Sequence, residues 1–125
     1  MDTNIAVLYV DDEPINVMLF KANFKNKFNL FTANSGREGL QILQDNSSIQ
    51  VVVSDMKMPE LNGIEFIRLA AAKHETVSYF ILTGFDITQE IAEALDEGLI
   101  HKYFRKPFNI KEIEGAILHA INLEE

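Results

Sequence analysis

Across 125 residues, 47% are hydrophobic, and 19 acidic side chains against 11 basic ones leave a formal charge of −8. That length suits one domain with a real core, and the acidity argues against direct nucleic-acid binding, which needs Lys and Arg against phosphate. The absence of cysteine removes disulfides, thiolate catalysis and thiolate metal sites, as expected of a cytoplasmic protein.

The N-terminal Met1-Asp2-Thr3-Asn4 lacks the basic segment and apolar stretch of a signal peptide, and no apolar run reaches membrane-spanning length. Ile5-Ala6-Val7-Leu8-Tyr9-Val10 reads as a strand over 5–10 that runs straight into Asp11-Asp12-Glu13-Pro14. Pro14 suits the first position of a helix over 14–26, in which Phe20 and Phe24, with Phe28 beyond it, recur every fourth residue as packing groups. A strand over 30–33 precedes Ser35 and Glu38, spaced as a capping box for a helix over 36–46. The β-branched run over 50–54 reads as a strand buried on both faces, and it ends at Asp55-Met56-Lys57-Met58-Pro59. Phe66, Ile67, Ala70 and Ala71 form the core stripe of a helix near 63–74, and Pro59 and Gly63 read as loop residues where it begins. A strand over 77–82 ends at Thr83-Gly84, and Asp86 with Gln89 suggests a cap for a helix over 87–97. The last pair is a strand over 102–105 ending at Lys106-Pro107-Phe108 and a helix over 110–122, opened by Asn109 and Glu112 and carrying Ile110, Ile113, Ile117, Ala120 and Ile121 on one face.

Five βα units in strict alternation predict an α/β fold, a flavodoxin-like doubly wound parallel sheet in the order 2-1-3-4-5, as one domain over 1–125. Ligands of such sheets bind beyond the carboxyl ends of the strands, at the switch point between the first and third. Asp11, Asp12 and Asp55 would flank that crevice, and Thr83 and Lys106 would reach the same edge. Taken singly, the acids read as helix or loop caps, and Thr83 and Tyr103 as ordinary strand residues. Together, the right residue types at four strand ends in the right order outweigh that account. His74, His101 and His119 are scattered and lack metal-ligand spacing.

The set Asp11-Asp12, Asp55 with Met58-Pro59, Thr83-Gly84 and Lys106-Pro107-Phe108 resembles the receiver domain of two-component response regulators over essentially the whole chain. The resemblance implies that Asp55 accepts a phosphoryl group from a sensor histidine kinase or phosphotransfer protein. It implies Mg²⁺, with Mn²⁺ able to substitute, held by Asp12, Asp55 and the backbone carbonyl of Lys57, with Asp11 acting directly or through water. Thr83, Gly84 and Lys106 would accommodate the phosphoryl oxygens, and the Lys106-Pro107 bond would be cis. Thr83 and Tyr103 would form a switch that alters the surface of the fourth helix, fifth strand and fifth helix. The implied partners are the phosphodonor, a downstream output protein or domain and, on phosphorylation, a second copy of the chain, with no nucleic acid and no membrane insertion. The only catalysis implied is of the domain's own phosphorylation and slow dephosphorylation.

Two features depart from the family pattern. The stretch Leu99-Ile100-His101-Lys102 makes the loop before Tyr103 one residue longer than is common, and Phe85 is bulky where the family controls water access, which predicts slow self-dephosphorylation. Two other readings stand beside the switch. A receiver that binds partners without phosphorylation is opposed by the intact Asp12, Asp55 and Lys106. A Mg²⁺-dependent phosphohydrolase with an aspartyl nucleophile is opposed by Lys57, which stands where the Asp-x-Asp motif needs a second acid.

Overall fold

The computed structural model describes residues 4–84 and 87–123. Five strands, β1 (Ala6–Val10), β2 (Asn29–Ala33), β3 (Ile49–Asp55), β4 (Ser78–Thr83) and β5 (Lys102–Arg105), alternate with five helices. The helices are α1 (Pro14–Phe24), α2 (Gly36–Asp45), α3 (Gly63–Lys73), α4 (Gln89–Asp96) and α5 (Ile110–Leu123). All neighbouring strands are parallel and the order is β2-β1-β3-β4-β5, the predicted topology.

Side chains alternate across the sheet and so divide the core in two. Val7 and Tyr9 of β1, Val51 and Val53 of β3, and Phe80 and Leu82 of β4 pack with Phe20 and Phe24 of α1 and Ile113 and Ile117 of α5. Leu8 and Val10, Val52 and Ile81 face the other way, onto Leu43 of α2, Ile64, Phe66 and Ile67 of α3, and Ile91 and Ala94 of α4. Because both faces are covered, the inner strands carry continuous apolar runs, which is why 50–54 reads so clearly in the sequence. Each large side chain fully buried there contributes roughly 1.5–3 kcal/mol.

Helix ends show where local signals were and were not sufficient. Ser35 Oγ accepts from Glu38 N, but the Glu38 carboxylate turns to the backbone N–H of Asn34 and does not close the box on Ser35. Asn109 Oδ1 accepts from Glu112 N at 3.0 Å, as its spacing predicts. Asp86 lies outside the described residues, and α4 is capped by Thr88, whose hydroxyl accepts from Ile91 N. The complete capping box is at α3, where Asn62 and Glu65 bond each other's backbone reciprocally at 2.8 Å. Gly63, read both as a loop residue and as the start of the helix near 63–74, is the first residue of that helix. Its N–H donates to Met56 O at 2.7 Å, and a Cβ there would collide with the Asp55 carbonyl oxygen and come 2.7 Å from Ile81 Cδ1. Only glycine lets α3 start this close to the end of β3.

Candidate functional site at the carboxyl edge of the sheet

Asp11 follows β1, Asp55 ends β3, Thr83 ends β4 and Lys106 follows β5, so the sheet register delivers all four to one edge. Backbone bonds hold the ends together: Met56 N donates to Leu82 O at 3.0 Å, Lys106 N to Thr83 O at 2.8 Å, and Asp11 N to Ala33 O at 3.1 Å. The Lys106-Pro107 peptide is cis.

The polar groups at this edge are deeply set. Asp11 is 0% exposed, Asp55 4% and Thr83 1%, while Asp12 is half-buried. Carboxylate oxygens of Asp11, Asp12 and Asp55 all lie within 4.8 Å of one another, and these three form the only such group of potential metal ligands among the described residues. Lys106 Nζ approaches Asp55 Oδ1 to 2.8 Å and Asp11 Oδ2 to 3.9 Å. Burial pushes the Asp55 carboxyl above its ordinary range, and the charges of Asp11 and Asp12 add to that, against the hydrogen bond and charge of Lys106. Three carboxylates facing one ammonium leave an excess of negative charge at a largely buried site. An all-oxygen donor set with that excess fits a hard divalent cation such as Mg²⁺.

A cleft of about 600 Å³ opens over the cluster, lined by Asp12, Glu13, Asp55, Lys57, Met58, Pro59, Gly84 and Lys106. Gly84 is exposed, and a Cβ there would meet only Lys106 Cδ, at an ordinary 3.6 Å, so the chain's own packing does not demand glycine. Thr83 pairs with Arg105 in the β4–β5 ladder, and Tyr103 pairs with Ile81. Tyr103 is half-buried against the core on the α3–α4 side of the sheet. The connection from α4 to β5 turns at Gly98, with φ +76°, and is held by Leu99 N bonding Ala94 O and by burial of Ile100. Phe85 lies outside the described residues.

The sequence reading passed over Tyr9. Its hydroxyl donates to Asp11 Oδ2 at 2.6 Å, and its ring stacks on Phe20 with centroids 4.0 Å apart. Burial, followed by the hydrogen bond to Asp11, holds this phenol far above its ordinary pKa. The signal was available, since residues two apart on a strand share a face. The histidines stand apart from the cluster, and no helix among the described residues is long and apolar enough to cross a membrane.

Comparison with known proteins gives one consistent match. A family model described as the response regulator receiver domain matches residues 7–118. The chain is 30% identical to the sporulation initiation phosphotransferase F of Bacillus subtilis, over 97% of each. It is 25% identical to the hydrogenase transcriptional regulatory protein HoxA of Cupriavidus necator, covering 98% of this chain but only 25% of that protein. Among solved structures, a response regulator receiver domain protein from Clostridium thermocellum superposes with a TM-score of 0.89 at 34% identity, over 96% of both chains.

Proposed function

The chain belongs to the response regulator receiver domain family of two-component signalling, and on that premise we propose that it is a phosphorylation-controlled switch with Asp55 as phosphoacceptor. The observation that carries this reading is the buried Asp55 carboxylate, paired at 2.8 Å with Lys106 and opening into a cleft beside two further acids.

An Asp55 oxygen attacks the phosphorus of a phosphohistidine or small acyl phosphate, forming a mixed anhydride as the bond from phosphorus to the donor breaks and its electron pair leaves with the donor. Asp12, Asp55 and the backbone carbonyl of Lys57, with Asp11 directly or through water, are the groups to hold Mg²⁺ or Mn²⁺. When bound, the cation supplies charge neutralisation, without which a carboxylate repels a phosphoryl dianion. Lys106 transfers its ammonium from Asp55 to the incoming phosphoryl oxygens, and the Thr83 hydroxyl and backbone N–H groups of the Thr83-Gly84 turn donate to them. Inward movement of Thr83 frees space for Tyr103, which lies on the same side of the sheet, and the surface of α4, β5 and α5 changes. The bias needed is a few kcal/mol, about the size of ordinary allosteric coupling.

The phosphodonor is a histidine kinase or phosphotransfer protein, a reading supported by the full-length similarity to a phosphotransferase. Ile15, Met18 and Leu19 of α1 are 70%, 68% and 51% exposed. Leu19 lines a groove that shares Gly84 and Lys106 with the cleft, so a protein docked on α1 reaches Asp55. An output protein or domain, or a second copy of the chain, reads the changed surface.

Incubation with acetyl phosphate and Mg²⁺, followed by intact mass, tests the proposal. A phosphoryl adduct that is lost in Asp55→Asn and on chelation of the metal supports it. No adduct in any condition overturns it in favour of phosphorylation-independent binding, and steady hydrolysis of phosphate esters overturns it in favour of a phosphohydrolase.

A further inference from the structure

Tyr9 is a large polar side chain, 0% exposed, in the apolar layer between the sheet and α1, and nothing in the phosphoryl chemistry calls for it. Its hydroxyl has one described side-chain partner, Asp11 Oδ2, at 2.6 Å, a short charge-assisted bond. The other Asp11 oxygen accepts from Glu13 N at 3.0 Å. Two donors, one two residues before Asp11 and one two residues after it, thus engage both oxygens of this carboxylate. A carboxylate offers about four lone-pair sites, so both oxygens keep capacity for a further ligand.

The Tyr9 ring cannot follow if Asp11 turns. It is stacked within 5° of parallel on Phe20, which packs in turn against Phe24 at 4.4 Å and Phe108 at 5.7 Å. The hydroxyl is therefore a rigid post anchored in the aromatic layer. Asp11 needs one, because it faces two other carboxylates within 4.8 Å and its nearest described cation, Lys106, is 3.9 Å away and engaged with Asp55. Repulsion favours a rotation of Asp11 away from the cluster, and the Tyr9 hydrogen bond opposes it.

We propose that Tyr9 is a positioning residue for the cation site, with its hydroxyl holding the Asp11 carboxylate in the orientation in which it serves the metal. The inference rests on the reading of Asp11, Asp12 and Asp55 as a divalent-cation site. Outer partners of metal-binding side chains typically alter metal affinity by about tenfold or more when removed. Tyr9 acts through Asp11 and does not touch the reacting atoms, so its loss affects cation affinity and leaves the phosphoryl step at saturating cation intact.

The experiment titrates MgCl₂ into the whole chain by calorimetry and, separately, measures the initial rate of adduct formation from acetyl phosphate against Mg²⁺ concentration. Wild type, Tyr9→Phe, Asp11→Asn and the double variant are compared. Tyr9→Phe is expected to raise the dissociation constant and the half-saturating Mg²⁺ about tenfold, with the saturating rate within about twofold of wild type. In the Asp11→Asn background the same substitution is expected to change the affinity little, since the effect passes through that carboxylate. A purely structural role would lower thermal stability and leave the half-saturation point unmoved. Unchanged Mg²⁺ affinity in Tyr9→Phe, with normal binding by wild type, overturns the role of Tyr9 alone. Absence of Mg²⁺ binding by wild type overturns the cation site itself. Should Tyr9→Phe fail to fold, Phe20→Leu keeps the hydroxyl and frees the ring, and an unshifted half-saturation there overturns the proposal equally.

Discussion

The ammonium of Lys106 sits 2.8 Å from Asp55 Oδ1, although the two residues come from β3 and from the segment after β5. That contact stabilises a carboxylate which burial otherwise disfavours, and it keeps a cation within reach of any group transferred to Asp55. In Lys106→Met the transition-state oxygens lose this donor. The rate of adduct formation from acetyl phosphate at saturating Mg²⁺ should fall about a hundredfold, the usual cost of removing one preorganised donor. A rate within twofold of wild type would show that Lys106 serves only the resting pair.

Asp55 also sets a pH dependence. Its carboxyl is raised above the ordinary 3.8, so the folded chain keeps this proton at pH values where the unfolded chain has lost it. Stability of the metal-free protein from this source therefore falls as pH rises from the unfolded pKa through the higher folded one, and is level above it. Asp55→Asn lacks the effect. The melting temperature of the variant relative to wild type should climb across that window and remain higher at neutral pH in the presence of chelator. A constant difference between pH 4 and pH 7 would contradict the assignment.

Gly63 is fixed by close approach. In Gly63→Ala the new methyl meets the Asp55 carbonyl oxygen and Ile81 Cδ1, the first of which is backbone and cannot yield cheaply. A loss of about 3 kcal/mol is expected in urea unfolding, at the upper end of overpacking costs. Because α3 starts against the end of β3, Mg²⁺ affinity should weaken as well.

Asn62 links two elements as well as capping one. Its side chain accepts from Glu65 N and donates to Glu90 of α4 at 3.2 Å. Asn62→Ala should cost about 1 kcal/mol, the usual value of a lost cap. Asn62→Asp keeps the acceptor but sets a charge against Glu90, so equal losses in the two variants would argue that the α4 contact dominates.

Much of the fold was legible because its signals are local. The apolar run over 50–54, short and rich in valine, reads as a strand buried on both faces, and β3 occupies Ile49–Asp55. The order of the sheet followed from βα alternation, since right-handed crossovers leave few arrangements. Boundaries were weaker where several polar residues compete. The sequence points to Asp86 as the cap, whereas the bond from Ile91 N to the Thr88 hydroxyl caps α4. The box at Asn62 and Glu65 was not among the caps read from the sequence, and the steric role of Gly63 at the same helix start shows only in the packing.

The sequence by itself determined the element types, the topology and the chemical nature of four strand ends, because periodicity and turn chemistry act over a few residues and parallel βα units have one favoured hand. Tertiary structure alone decided that Tyr9 bonds Asp11, that Asp55 resists ionisation and that Gly63 admits no side chain. Those properties depend on desolvation and on distances between residues far apart in the chain, and such quantities exist only once the sheet has assembled.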